Sequence, residues 1–326
     1  MPSRANDVLV APGTGGGSPV PSGPVGARGG SRKPSRHKHN KVGYLFLLPW
    51  LVGIFGLTLL PMLYSLFLSF TEFDLLSPPR WAGLENYDRM FTDDPRFMQS
   101  VKVTLIYVAI SVPLKLVFAL AVAMALNRGL RALGLYRAVF YLPSLLGASV
   151  AVAVMWRQIF SQDGLLNQVL KVFGVTGPDW IGTPDYALGT LILLAAWQFG
   201  TPMLIFLAGL KQLPQEVFEA AELDGARRLR LFFSITIPLL SPMIFFNLVL
   251  ETINAFQTFT PAFVVSGGSG GPIDSTLLYT LYLYQQGFTS LRMGYASAMA
   301  WVLFIVIALF TSIYFATSRR WVHYGD

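Results

Sequence analysis

The sequence contains no cysteine. That excludes a disulfide framework, a thiolate metal site and a cysteine nucleophile. Histidine is nearly as scarce: only His37, His39 and His323 occur, all in the tails. Neither a histidine metal cluster nor a Ser-His-Asp triad can form in the body of the chain. Charge is thin as well. Asp, Glu, Lys and Arg make up 13% of the 326 residues, where a water-soluble domain carries about a quarter. A phosphate loop is missing too. Gly13-Thr14-Gly15-Gly16-Gly17 lacks the closing Gly-Lys-Ser/Thr and follows no strand, so ATP hydrolysis by that route is not expected. No metal and no cofactor is called for.

Apolar residues take up the space, at 53% of the chain. They fall in six stretches, near 43–70, 103–126, 138–160, 187–209, 231–259 and 295–317. Each covers the roughly 20 residues that a helix needs to cross a bilayer. Barrel strands would alternate polar and apolar, and these runs do not. The expected fold is an all-α membrane protein with six transmembrane helices, occupying 41–320. Residues 1–40 are rich in Gly, Pro, Ser and basic residues and predict a disordered basic tail. They do not read as a signal peptide, because no apolar core begins before about residue 43. Residues 321–326 form a short C-terminal tail.

The formal charge of +7 could suggest nucleic acid. Its distribution points to membrane orientation instead. The N-tail, loops 127–137 and 210–230, and the C-tail hold sixteen Lys and Arg; the alternate loops hold six, Arg80, Arg89, Arg96, Lys102, Lys171 and Arg292. Both termini are therefore expected in the cytoplasm of a multi-pass protein of the cell membrane.

The segment 211–230, between the fourth and fifth spans, is more than a connector. Pro214 can open a helix at its first turn, Glu216, Glu219 and Glu222 suit a helix start, and Gly225 can end it. Arg227, Arg228 and Arg230 follow. A lipid-surface helix is one reading, but such helices carry cations on the polar face, and this one carries acids. Docking onto another protein suits that charge better.

At this segment the sequence resembles a family. Glu219-Ala220-Ala221-x-x-Asp224-Gly225-Ala226, followed by Phe232, Ile235, Pro238 and Pro242, is similar to the EAA motif of ABC importer permeases. Phe218 stands where that family often has Tyr. Trp81-Ala-Gly83-Leu-Glu-Asn86-Tyr87, Tyr141-Leu142-Pro143, Gly164-Leu-Leu-Asn167, and Gly271-Pro272-x-x-Ser275-Thr276 ahead of Gly294-Tyr295-Ala296 resemble its carbohydrate-uptake branch, maltose and glycerol-phosphate permeases included. The resemblance covers about 43–320. It implies a coupling helix formed by Phe218, Glu219, Ala220, Ala221, Asp224, Gly225 and Ala226, which fits a cleft on an ATPase. It also implies the partners: a second permease subunit, two cytoplasmic ATPase subunits and an extracytoplasmic solute-binding protein, touched by outer loop 71–102. Hydrolysis would then lie on a separate chain. Lipid is a further partner, nucleic acid is not.

Polar groups inside lipid are costly and serve function or helix packing. Asn247, Glu251, Asn254 and Thr258 fall on one face of the fifth helix, with Gln257 beside them. Such a stripe suits a sugar or polyol passing through, or glue between helices. The fourth helix offers Trp197, Gln198 and Thr201, with Pro202 as a kink point. Tyr282, Tyr284 and Gln285 are weaker candidates. Lys115 lies mid-helix and either pairs with Glu251 or snorkels, as Arg157 does. Two other readings compete. One keeps the machinery but carries glycerol phosphate or another small polar solute. The other is an ion-coupled secondary transporter, for which inverted repeats are not evident.

Overall fold

The computed structural model describes residues 40–128, 132–147 and 149–323. The 1–40 tail and the last residues of the chain therefore lie outside the described residues, apart from Asn40 and 321–323. The chain divides into a short N-terminal unit, residues 1–53, and a main unit, 54–326. In the first, helix α1 runs from Asn40 to Val52.

The main unit opens with the π-helical end of Gly53–Leu59 and α2 (Leu60–Ser69). A two-stranded antiparallel ladder follows, β1 (Thr71–Glu72) with β2 (Arg80–Trp81), in which Glu72 faces Arg80. Next come α3 (Glu85–Thr92), α4 (Pro95–Leu126), α5 (Leu133–Leu146), α6 (Val150–Phe160) and α7 (Leu165–Val172). Then α8 (Pro184–Trp197) and α9 (Gly200–Leu210) lead to α10 (Gln215–Leu223) and α11 (Arg228–Leu231). A π turn at Phe232–Thr236 joins α11 to α12 (Ile237–Phe256). It lies just ahead of Pro238, whose missing N–H leaves the ladder one donor short. The chain ends with α13 (Thr260–Val265), α14 (Tyr279–Tyr284) and α15 (Met293–Ser318).

Among the described residues, four runs are long and apolar enough to cross a membrane: Phe46–Ser69, Pro95–Leu126, Arg228–Val265 and Met293–Ser318. The other two expected spans are bent pairs, α5 with α6–α7 at 93° and α8 with α9 at 41°. Among the described residues there are thus four candidate spans, or six if each bent pair counts as one. Two boundaries also move. The second span begins at Pro95 rather than near 103, because Asp94 caps it and accepts from the Phe97 amide at 3.1 Å. The outer loop is therefore shorter than 71–102, and it is folded. The fifth helix stops at Phe256, short of 259.

Helix α4 is the axle of the main unit, touching α8, α9, α12 and α14. Ala119 and Ala123 are fully buried on it, and such small residues let helices approach closely. The outside of the bundle is apolar as well, with Val117, Phe118, Ile305 and Phe315 all exposed. A surface of this kind belongs in lipid or against another protein.

The two ends of the main unit are distinct. At one end the Tyr295 hydroxyl, from the start of α15, donates to Asp94 at the start of α4 at 2.6 Å. At the other, the His323 amide donates to Ser241 Oγ on the first turns of α12 at 2.9 Å. The 26 residues of α15 separate these ends by about 39 Å.

Candidate functional site

A cavity of about 360 Å³ opens among α4, α8 and the far end of α12. Of the residues singled out in the sequence, it brings together Lys115, Gln198, Glu251, Asn254, Gln257 and Thr258. Lys115 lies about 30 Å along α4 from Pro95 at the helical rise, well inside the bundle. Its Nζ donates to Glu251 Oε2 at 2.7 Å, with the two side chains 15% and 9% exposed. Of the two readings of Lys115, the paired one is the geometry seen. The ammonium and carboxylate balance, so the ionic groups lining the cavity sum to zero charge.

Asn247 behaves differently. It is 1% exposed, its Nδ2 has no partner among the described residues, and it is not among the residues lining the cavity. Thr258 reaches the cavity by another route than a shared helix face. It lies past the end of α12, its hydroxyl donating to Asn254 O at 3.2 Å.

Gln198 lies at the break between α8 and α9, and its side chain donates to Gly147 O at 3.0 Å. Gly147 has no space for a Cβ, because the Gln198 side chain occupies that position. Pro202 does not mark the kink itself. Its absent N–H frees the Gln198 carbonyl, one turn earlier, and Ser144 Oγ donates to that carbonyl at 2.9 Å. The same Ser144 oxygen accepts from the Thr201 amide at 3.2 Å. The bend thus falls at Gln198–Phe199 and turns a polar side chain and a cavity wall together.

The remaining candidates are placed outside the cavity. Trp197 lies beside Trp156, ring centroids 6.1 Å apart. Tyr284 belongs to an aromatic cluster with Phe259, Phe263 and Phe288. Gln285 donates to Gly268 O at 2.8 Å. Tyr282 donates to Asp94 Oδ2 at 2.6 Å, beside Tyr295. Burial works to raise the Asp94 carboxyl, but the two tyrosine hydroxyls and the Phe97 amide outweigh it and hold it below the usual carboxylate range.

Among the cavity residues that escaped the sequence reading, two polar ones lie on α4: Tyr107 and Ser111. Both are buried, and the Ser111 hydroxyl has no partner among the described residues. The signal was available, since Tyr107, Ser111 and Lys115 recur every four residues and so share one face of α4. With Asn254, Gln257 and Thr258 opposite, the cavity presents hydroxyl, amide and ionic groups on walls that include Leu191, Leu194 and Phe259. It can donate to and accept from a hydroxyl-rich solute. Its size lies at the small end of ligand sites, roughly 300–1,000 Å³.

The segment 211–230 folds as a separate feature. Pro214 is the N-cap of α10, not its first helical residue. The C-terminus closes as a double hydrogen-bonded turn, Gly225 N to Glu222 O at 3.0 Å and Ala226 N to Ala221 O at 3.0 Å. Gly225 adopts φ +78° there, a left-handed conformation that favours glycine. No α10 residue is buried, and Leu223 is 90% exposed. Glu219, Ala220 and Asp224 lie on the exposed surface, while Phe218, Ala221 and Ala226 are half-buried.

Comparison with known proteins bears on this arrangement. The profile of the family described as binding-protein-dependent transport system inner membrane component matches residues 42–323. A probable ABC transporter permease protein, YesP of Bacillus subtilis (strain 168), is 53% identical over 300 residues, covering 92% of this chain and 97% of the relative. The lactose transport system permease protein LacF of Rhizobium radiobacter is 31% identical, covering 89% and 98%. A chain of a bacterial alginate ABC transporter, crystallised with an alginate pentasaccharide-bound periplasmic protein, superposes with a TM-score of 0.74 at 19% identity, over 87% of this chain and 96% of that one. The last likeness speaks to fold, and the first two to descent. The chain belongs to the family of inner-membrane components of binding-protein-dependent transport systems.

Proposed function

We propose that this permease moves a sugar or oligosaccharide through the cavity between α4, α8 and α12, driven by ATP hydrolysis on separate chains. The observation that carries the reading is the cavity itself. A hydroxyl-rich cargo needs paired donors and acceptors away from lipid, and Lys115, Glu251, Gln198, Asn254, Gln257 and Thr258 supply them inside an apolar bundle. Relatives named as lactose and trehalose/maltose permeases support the cargo class. Asn247, buried on α12 one turn before Glu251, supports the pathway by packing rather than contact.

In this reading α10 is the coupling helix. Its exposed face, with Glu219, Ala220, Asp224 and the turn at Gly225, fits a cleft on a cytoplasmic ATPase, and Phe218 anchors it from the half-buried side. Six spans, counting each bent pair as one, leave both termini on the same side, and the Lys and Arg bias of the loops supports the cytoplasm as that side. A second permease completes the pore, and an extracytoplasmic binding protein delivers cargo at the opposite end. ATP and the loaded binding protein then bias one two-state pore.

The test is ATPase activity of the purified complex with binding protein, with and without neutral oligosaccharides, acidic oligosaccharides and glycerol phosphate. Stimulation by one oligosaccharide names the cargo. Stimulation by glycerol phosphate alone installs the second reading, suggested by a glycerol-3-phosphate permease among the relatives. If no ATPase co-purifies and solute still moves, the coupled mechanism fails.

A further inference from the structure

The end of the main unit that carries Asp94 holds a second pocket, of about 440 Å³. Three arginines line it from three elements: Arg80 on β2, Arg89 on α3 and Arg292 at the N-cap of α15. None of the three forms an ion pair within 4.0 Å among the described residues. Their neighbour Arg96 makes the contrast. Its guanidinium donates through both Nε and Nη2 to Asp274, at 2.9 and 2.7 Å. This end of the protein therefore can saturate an arginine, and leaves three around a pocket unsaturated.

The two acids in the pocket do not fill the gap. Asp74 Oδ1 already accepts from the Leu76 and Ser77 amides and the Ser77 hydroxyl, at 3.1, 2.9 and 2.7 Å. Glu72 faces Arg80 across the two-residue ladder, which leaves Arg89 and Arg292 without an opposed acid on that ladder. The frame behind them is fixed. Asn86 Nδ2 donates to the Ser69 and Thr71 carbonyls at 3.0 and 2.9 Å. The Gly294 amide donates to Phe73 O at 3.1 Å, and a Cβ on Gly294 would collide with Thr71 O. Arg89 lies over the Tyr295 ring, 5.5 Å from its centroid, which limits the directions its fork can take.

We infer that this pocket is the socket for an acidic side chain of the extracytoplasmic binding protein, its carboxylate held by Arg89 and Arg292 with Arg80 at the rim. The inference rests on the importer reading above, which sets the Asp94 end of the main unit, about 39 Å along α15 from the Ser241 end, on the outer face. Planar guanidinium forks match a carboxylate in two-point contact. Cations at an exposed rim act mainly on encounter rate and salt dependence. Docking here would push on β1 and on the first turn of α15 together, since Gly294 ties them.

The experiment uses the complete transporter in nanodiscs, with cargo-loaded binding protein titrated against ATPase rate at about 50 and 300 mM NaCl. Arg89→Glu and Arg292→Glu should raise the half-saturating binding-protein concentration about tenfold or more at low salt. They should also flatten its salt dependence, and leave the rate without binding protein unchanged. Arg292→Lys should fall between, because it keeps the charge and loses the fork. An unchanged half-saturation in both reversal variants, with wild-type stimulation intact, overturns the socket and spares the importer. So does a loss that appears only in phosphatidylglycerol discs and not in phosphatidylcholine, which would give the pocket to lipid headgroups. If binding protein fails to stimulate the wild type, the importer reading falls, and the socket with it.

Discussion

The Lys115–Glu251 pair makes the sharpest energetic prediction. At 2.7 Å the bare attraction is about 6 kcal/mol at an effective dielectric of 20. Both side chains are mostly buried, so the lost hydration of each ion takes back most of that gain. The net worth of the pair is therefore small, whereas the cost of breaking it is not. Glu251→Gln or Lys115→Met leaves one ion facing a cavity with no counter-charge, and each should destabilise by about 3–5 kcal/mol. The double variant removes both ions and should lose only about 0–1 kcal/mol, since a neutral pair of similar volume leaves no uncompensated charge in the bundle. The coupling energy in a double-mutant cycle should then be about 5 kcal/mol or more. Equilibrium unfolding of the purified protein in mixed micelles, followed by tryptophan fluorescence, reads all four corners. Losses that simply add in the double variant would refute the argument, because two ions in contact cannot be independent. A double variant that is stable but transport-dead would also separate packing from cargo contact.

Other consequences can be read in simpler assays. Asp94→Asn keeps a capping side chain on α4 but removes the charge that draws in Tyr282 and Tyr295, and should cost about 1 kcal/mol at neutral pH. The folded Asp94 carboxyl titrates below its unfolded value near 3.9. Its contribution is therefore present above that value and lost as pH falls through the folded one. The thermal midpoint of the wild type should drop more steeply than that of the variant below about pH 4. Gly225→Ala puts a side chain at φ +78° with open space around it. It should cost about 1–2 kcal/mol locally, leave the bundle intact, and abolish coupled ATPase stimulation if α10 docks as proposed. Gly294→Ala should cost more than about 2 kcal/mol, since its Cβ meets the Thr71 carbonyl with no flexible neighbour to yield; the readout is yield and thermal midpoint.

What the sequence revealed follows from the range of the forces involved. A Gly after an acidic, alanine-rich helix terminates it by local backbone geometry, and Gly225 does so through two hydrogen bonds within six residues. Apolar runs likewise identify themselves, and the four long runs lie close to where composition places them. The breaks were displaced for a local reason as well. A proline's missing N–H acts on the carbonyl four residues earlier, so Pro202 bends the chain at Gln198, which carries no breaker signal of its own. The Asp94 cluster depends instead on partners 188 and 201 residues away, and nothing near Asp94 in sequence names Tyr282 or Tyr295. The cavity is intermediate. The fifth span showed its polar stripe because Asn254 and Glu251 stand out among apolar neighbours. Tyr107 and Ser111 are ordinary in any helix and gain meaning only through their four-residue spacing from Lys115. Scanning a span for charge alone finds the ion, whereas scanning the face on which the ion lies finds the wall of the cavity around it.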